Sequence, residues 1–171
     1  FEKLLALEPR SLTDLQRAVR FIYLQRTCFG GKVSGRNFGV AADNPARFDI
    51  TKLAAVLESV HERLASVTIE RLPWSSFIAR YDRPGTLFYL DPPYHGNESD
   101  YGAGMFERDE FEQMAKQLRG ISGRFILSLN DHPEVRRISA GFTFREEEVR
   151  WTIGGAAAGK AKVAKERIIT C

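Results

Sequence analysis

Cysteine, histidine and long apolar runs are scarce in this sequence, and each scarcity argues against a class of protein. The two cysteines, Cys28 and Cys171, lie far apart and form no CxxC pattern, which indicates neither a disulfide framework nor a zinc site. The three histidines show no metal-ligand spacing. No apolar run approaches the length of a membrane span, and the first ten residues do not have the shape of a signal peptide. We therefore expect a cytoplasmic protein that binds no metal and enters no membrane.

The composition is that of a folded domain. A chain of 171 residues suits one domain of ordinary size, and 43% hydrophobic with 27% charged residues is typical of a globular chain rather than a disordered one. The formal net charge of +3 and the isoelectric point near 9.0 suit a polyanionic partner without requiring one. Composition therefore leaves the function open.

Hydrophobic periodicity predicts two helices in the first part of the chain. Residues 11–26 place Leu15, Val19 and Ile22 at helical spacing, and residues 51–66 follow Asp49, a candidate cap. Between them, residues 30–48 contain four glycines and read as an irregular basic loop. The apolar face predicted for the second helix comprises Leu53, Val56, Leu57, Val60 and Leu64.

Strands and helices alternate in the second part of the chain. The pattern predicts strands at 68–72, 86–90 and 124–129, helices at 75–81, 108–119 and 133–139, and a final strand pair at 142–153 and 166–170. Strand 86–90 reads as buried on both faces, and Asn130 or Asp131 is the candidate cap of helix 133–139. Such alternation predicts an α/β fold with a mostly parallel sheet that binds ligands at the carboxyl ends of its strands. We expect a helical segment over residues 1–66 and a sheet-containing half-domain over residues 67–171.

The stretch most informative about chemistry is Asp91-Pro92-Pro93-Tyr94, called the 91–94 segment below. It follows the predicted strand 86–90 directly, at the end of the strand where a ligand site is expected. The tetrapeptide resembles the (D/N/S)PP(Y/F) motif of amino-methyltransferases, which move a methyl group from S-adenosylmethionine (SAM) to an NH2 group on adenine, cytosine or glutamine. The alternative interpretation is a Pro-Pro turn with an incidental Asp and Tyr.

The chemistry of methyl transfer explains these residue types. An exocyclic amine is a poor nucleophile because its lone pair is delocalised into the base ring. The carboxylate of Asp91 and the carbonyl of Pro92 would accept its two N–H bonds and favour the pyramidal nitrogen. Two prolines, Pro92 and Pro93, stiffen the turn, and Tyr94 would stack on a base taken out of the duplex. Asn130, at the end of the next predicted strand, is expected to support the site through hydrogen bonds.

The chain resembles the DNA adenine methylase family, the D12 class of N6-adenine-specific DNA methyltransferases, and especially its phage and prophage members. The resemblance covers nearly the whole chain, and FYLDPPY at 88–94 and RTCFGG at 26–31 are its specific motifs. Similar by order and spacing are the stretches RFIYLQRTCFGGK at 20–32, RLPWSSFIARYDRPGTLFYLDPPY at 71–94 and ILSLNDHPEVR at 126–136. The resemblance to this family implies a Rossmann-like methyltransferase sheet in the C-terminal half and an N-terminal DNA-recognition segment. It also implies SAM as cofactor and double-stranded DNA as partner.

Site residues carry over from this resemblance at matching positions. Phe29 stands where the family has an aromatic that wedges into the duplex, although it would equally well pack the end of the first helix. Trp74 and Phe77 stand where the family contacts the adenine of SAM, although Trp74 would suit a core position equally well. The resemblance implies DNA-binding roles for Arg26, Phe29, Lys32, Arg36 and Asn37, and cofactor-binding roles for Asp91, Trp74 and Phe77.

Two departures from the family pattern limit what carries over. Family members begin with a glycine-rich FxGxG strand and loop that cradles SAM, and nothing similar precedes Phe1. We therefore expect the sequence to be a fragment of a longer enzyme. The recognition loop, FGVAADNP at 38–45, also lacks the usual continuation, which leaves the target sequence open. Two alternatives stay open, an N4-cytosine methyltransferase and a DNA-binding remnant without catalysis.

Overall fold

The computed structural model describes residues 1–31, 33, 35–40, 48–99, 102, 104–151 and 162–171. The chain divides into two compact units, Phe1–Glu70 and Arg71–Cys171. The first unit is helical in its described part, and the second contains the sheet.

Both helices predicted for the first part of the chain are present. Thr13 and Gln16 form a capping box at the start of the first, and the Asp49 carboxylate caps the second by accepting the backbone N–H of Thr51 at 3.0 Å. The Asp49 cap is therefore confirmed. The helices of this unit are α1 (Glu2–Leu5), α2 (Asp14–Thr27) and α3 (Ile50–Leu64), with a short 3-10 turn at Pro9–Ser11.

The apolar faces predicted for these two helices are not buried. Leu15 and Val19 of α2 are 74% and 56% exposed, whereas Leu24 is fully buried near the end of the helix. None of the residues of α3 is buried, including the five of its predicted face. Periodicity shows which side chains share a face, but burial requires a neighbour that covers it. The two helices are confirmed, and the structure leaves most of their apolar side chains exposed.

The second unit alternates helices and strands almost as predicted. The strand expected at 68–72, across the boundary between the two units, is absent: these residues have no regular structure, and Ile69 is 77% exposed. A strand is stabilised by hydrogen bonds to a neighbouring strand, and none of the strand pairings includes these residues. The elements are α4 (Trp74–Tyr81), β1 (Leu87–Leu90), α5 (Glu110–Leu118), β2 (Arg124–Asn130), α6 (Pro133–Ile138), β3 (Thr143–Trp151) and β4 (Lys162–Thr170).

These strands form a four-stranded sheet in the order β1-β2-β4-β3. Strands β1 and β2 are parallel, while β2 with β4 and β4 with β3 are antiparallel. The expectation of a mostly parallel sheet was therefore wrong. Its physical reason is that β3 and β4 follow each other and pair directly, and β4 then inserts beside β2 in the opposite direction.

One face of this sheet carries the core of the unit. Phe88 of β1 and Phe125 of β2 are 3% and 1% exposed. Burial of β1 on both faces was a wrong prediction, because Leu87 and Tyr89, on the other face, are 57% and 66% exposed. The four residues predicted to face inward from α5 are confirmed as buried: Phe111, Met114, Ala115 and Leu118.

A tight turn between α5 and β2 positions the start of the central strand. The Asp82 carboxylate accepts the backbone N–H groups of Ser122 and Gly123 at 2.8 to 2.9 Å. A Cβ at Gly123 would lie 2.8 Å from the carbonyl oxygen of Thr86, which also accepts the N–H of Arg124 at 2.8 Å. Glycine is therefore required here by a close backbone approach.

We expect Gly123→Ala to lower the free energy of unfolding by about 2 kcal/mol, because the added methyl group overpacks a rigid backbone contact. The matched control is Gly120→Ala, where a Cβ would lie 3.6 Å from the nearest carbonyl oxygen, an ordinary contact. Urea unfolding of both variants measures the difference. Equal midpoints for the two variants would contradict the close approach.

Candidate active site

The 91–94 segment lies directly after β1, where the parallel strands β1 and β2 end at the same edge of the sheet. Leu90 pairs with Leu127 in the register of this pair. The next residue along each strand is Asp91 on one side and Ser128 on the other. Because β2 continues for three residues beyond Leu127, it supplies the side chains that border the segment.

Asp91 is exposed, but one of its carboxylate oxygens is held in place. Its Oδ1 accepts a hydrogen bond from the Ser128 hydroxyl at 2.9 Å. The donor is rigidly placed, because Ser128 lies within β2 and is only 4% exposed. Asp91 therefore presents an accessible carboxylate whose orientation is set from inside the sheet.

Tyr94 is partly buried against the hydrophobic core and is hydrogen bonded to Glu166 of β4. Burial raises the pKa of the Tyr94 hydroxyl, and the hydrogen bond and negative charge of Glu166 raise the pKa further. The phenol is therefore protonated at neutral pH and acts as the donor to Glu166. Glu166 pairs with Asn130 in the register of β2 and β4, so the partners of Tyr94 and of the His95 backbone lie opposite each other on adjacent strands.

The peptide after the segment is held by Asn130, at the end of β2. The Asn130 side chain accepts the backbone N–H of His95 at 2.9 Å and donates to the His95 carbonyl at 3.0 Å. The support predicted for Asn130 thus takes the form of two hydrogen bonds to the backbone at His95.

The His95 ring itself is buried below the site. It stacks on His132 with ring centroids 4.2 Å apart and lies 5.5 Å from the Phe111 ring. Burial lowers the pKa of the His95 imidazole, and the proximity of His132 lowers the pKa further. The ring is therefore neutral at physiological pH, and it fills space rather than presenting a charge to the site.

Trp74 and Phe77, the predicted cofactor contacts, lie on α4. The Trp74 indole N–H donates to Glu110 at 2.9 Å, and the ring packs against the core of the unit. The Phe77 ring lies 4.9 Å from Tyr81 and is 39% exposed. The packing of Trp74 thus agrees with the core interpretation, while the exposed ring of Phe77 offers a surface for stacking. Their role toward a cofactor stays a prediction.

The predicted DNA-binding residues lie at the end of α2 and in the loop after it. Phe29 is 54% exposed, and its backbone N–H donates to the carbonyl of Asn37 at 2.9 Å. Arg36 is half-buried and donates to the Gln25 side chain at 3.2 Å, while Arg26 is exposed. Phe29, Arg26 and Asn37 thus share an exposed turn of the first unit. Lys32 lies outside the described residues.

Reasoning from the sequence missed two residues of this site, Ser128 and Glu166. Ser128 interrupts an otherwise apolar strand, and pairing that strand in parallel with β1 would have placed it beside Asp91. Glu166 had no such signal, because its place depends on the antiparallel insertion of β4 beside β2. Within the described ranges, no three His, Cys, Asp or Glu side chains cluster to bind a metal, and no helix is long and apolar enough to cross a membrane.

Comparison with known proteins identifies the family. Residues 5–153 match the D12 class N6 adenine-specific DNA methyltransferases. The chain belongs to this family. It is also similar to the Type II methyltransferase M.CviBI of Paramecium bursaria Chlorella virus NC1A, with 21% identity over 145 residues, 84% of this chain and 55% of that protein. The chain thus spans about half the length of the curated relative it matches.

Membership of the D12 class confirms the resemblance drawn from FYLDPPY and RTCFGG. The mixed α/β fold with its four-stranded sheet is consistent with a methyltransferase fold. The matched region of the D12 class includes both the loop after α2 and the 91–94 segment. The roles of individual residues within it are proposals.

Proposed function

We propose that this chain carries the base-binding and catalytic part of a SAM-dependent enzyme that methylates the N6 amine of adenine in DNA. The observation that supports this most directly is Asp91, an exposed carboxylate at the carboxyl end of β1 whose Oδ1 is fixed by Ser128. Such a carboxylate suits an exocyclic amine, which donates hydrogen bonds and becomes positively charged as it is alkylated.

In the proposed mechanism the 91–94 segment holds a flipped adenine. Asp91 accepts one N6–H bond and the Pro92 carbonyl accepts the other, which turns the nitrogen lone pair away from the ring. Tyr94 stacks on the base, and its bond to Glu166 limits the rotation of the ring. Positioning is the main contribution of these residues to the rate.

SAM would supply the methyl group: the N–C bond would form as the S–C bond breaks, the sulfur would keep the electron pair, and the methylated N6 would then release one proton to solvent. Among the residues of this chain, Phe77 offers an exposed ring for the cofactor's adenine and Asp91 lies beside the reacting centre. Trp74 fits a supporting place better, because its N–H is bonded to Glu110 and its ring packs on the core. Trp74 stays a proposed cofactor contact, because its side chain is only partly buried.

We propose that double-stranded DNA is held by the turn after α2 in the first unit. Phe29 would insert beside the flipped base, and Arg26, Lys32 and Arg36 would contact phosphates. Asn37 would read a base edge. The exposure of Phe29 favours this interpretation over packing at the end of the helix.

The proposed function is tested by methyl transfer from labelled SAM to unmethylated DNA, followed by nucleoside analysis. The 171-residue chain and a version extended at its N-terminus are compared. We expect N6-methyladenine with the extended version. N4-methylcytosine in its place would support the N4-cytosine alternative. No transfer to DNA with either version would contradict the proposal and favour a DNA-binding remnant.

A further inference from the structure

Two side chains of β2, Ser128 and Asn130, contact the two ends of the 91–94 segment. They are two residues apart and so project from the same face of the strand. The Ser128 hydroxyl contacts the Asp91 side chain at the start of the segment, and the Asn130 amide contacts the backbone at His95, directly after its end. Three residues lie between these contacts, and two of them are prolines.

We propose that Ser128 and Asn130 are positioning residues that act as a two-point brace, Ser128 on the Asp91 carboxylate and Asn130 on the following peptide. The proposal rests on the proposed function, because it assigns Asp91 the role of accepting the base amine. Neither side chain is assigned a contact with the base. Each acts through a residue that the proposed mechanism uses.

The Ser128 contact determines which part of the carboxylate is available. A carboxylate attached through Cα–Cβ–Cγ rotates readily when it is exposed, as Asp91 is. A bond from a buried hydroxyl to Oδ1 limits that rotation and leaves Oδ2 to face the substrate. Restricting the carboxylate before the base arrives reduces the entropy that would otherwise be lost in reaching the reactive geometry.

The Asn130 contact fixes the backbone in two directions at once. Its amide oxygen accepts from His95 N–H and its amide nitrogen donates to His95 C=O, so both backbone groups of one residue are satisfied by one side chain. An amide side chain suits this role, because it offers a donor and an acceptor side by side in one plane without needing to change its protonation. Rigid prolines then transmit the fixed position of His95 back to Asp91.

The Ser128 half of the brace is tested with a matched pair of variants, Ser128→Thr and Ser128→Val. Threonine and valine have nearly the same shape and both suit a strand, so any overpacking at this buried position is common to both. Only threonine retains the hydroxyl. The rates are measured in an enzyme preparation with detectable methyl transfer. We expect kcat of the valine variant to be at least about tenfold below that of the threonine variant. KM for DNA and for SAM should differ by less than about twofold between them, since neither substrate touches Ser128.

The Asn130 half is tested without activity, by amide hydrogen exchange of the 171-residue chain. Asn130→Ala is expected to speed exchange at the His95 amide by about tenfold or more, because its acceptor is lost. Asn130→Asp keeps an acceptor for that N–H but loses the donor to the His95 carbonyl, so its exchange should lie between that of the parent and that of Asn130→Ala. The Arg124 amide, bonded to the Thr86 carbonyl at 2.8 Å at the other end of β2, is the control for general loosening of the unit.

The outcomes separate the brace from the proposed function. Equal kcat for the threonine and valine variants, or unchanged His95 exchange in Asn130→Ala, would overturn the brace even if the parent enzyme is fully active. Absence of transfer in the parent enzyme would instead contradict the proposed function. In that case the exchange measurement still decides whether Asn130 holds the segment. A parallel rise in exchange at His95 and Arg124 would indicate a general structural role and would also count against the proposal.

Discussion

Replacing Asp91 with alanine is expected to reduce the rate of methyl transfer about 10³-fold, the upper end of the cost of removing one preorganised hydrogen-bonding group. The change removes the acceptor that we propose orients the amine, while the Ser128 hydroxyl that held Oδ1 remains in the sheet. DNA binding should be largely unchanged, because a carboxylate neutralises no phosphate. Initial rates with labelled SAM and a gel-shift titration with the same duplex measure the two effects.

The matched control is Asp109→Ala. Asp109 is also an exposed aspartate next to a secondary-structure element, but it lies directly before α5. In the described part of the chain, its carboxylate accepts a hydrogen bond only from the Gln113 side chain. We expect this variant to transfer methyl groups within about twofold of the parent rate, since surface substitutions are usually mild. If Asp91→Ala turns over at a rate close to that of Asp109→Ala, Asp91 takes no part in the mechanism and the proposed base pocket is wrong.

The order of elements in the second unit and the place of the 91–94 segment could be predicted from the sequence. Helix α5 carries its four inward residues at helical spacing, and burial confirms all four. The strand before Asp91 is followed closely by Pro92 and Pro93, which cannot continue a ladder of hydrogen bonds, so the end of the strand could also be predicted. These features are local, and local sequence determines them.

The features that could not be predicted depend on tertiary contacts between segments distant in the chain, which a local sequence pattern does not identify. Leu15 lies in a pattern of helical period and Leu87 in a continuous apolar run, yet they are 74% and 57% exposed, because neither pattern says which surface covers the side chain. Ser128 became a site residue only through the register of β1 and β2, and Glu166 through the antiparallel placement of β4. The chemistry of the site could be proposed from four consecutive residues, but its supporting side chains come from elsewhere in the chain.

Competition for hydrogen bonds explains why the wrong cap was predicted for α6. Asn130 and Asp131 are good capping residues by type, but His132 caps the helix, accepting the N–H of Glu134 at 3.2 Å. Asn130 is bonded to the His95 backbone and Asp131 to Arg136 and Arg167. Each candidate is engaged by a partner distant in sequence, and such a partner outweighs local preference.

The second large effect that we expect is a loss of stability when the ion pair between Asp131 and Arg167 is broken. Arg167→Ala should lower the free energy of unfolding by about 3 kcal/mol, the usual cost of breaking a buried ion pair. The Arg167 side chain is 6% exposed, donates to Asp131 at 2.9 Å and to Glu146 at 3.0 Å, and lies 3.8 Å from the centroid of the Phe144 ring. Its removal leaves the 10%-exposed Asp131 carboxylate with Arg136 as its cationic partner. Urea unfolding at neutral pH measures the loss.

Arg145→Ala is the control, because Arg145 lies on the same β3–β4 hairpin and also pairs with a glutamate, Glu147, but its side chain is 81% exposed. We expect an effect below about 0.5 kcal/mol, as for most exposed pairs.

Acidic pH provides a second test of the ion pair between Arg167 and Asp131. Hydrogen bonds from Arg136 and Arg167 lower the pKa of Asp131 from 3.8 to about 2, so its ionised form stabilises the fold above pH 4 and that contribution, on the order of 2 kcal/mol, disappears as the pH falls through 2. The stability difference between the parent and Arg167→Ala should therefore shrink over this interval. A difference that stays constant down to pH 2 would mean that Arg167 stabilises the hairpin through the Phe144 ring rather than through its ion pairs with carboxylates.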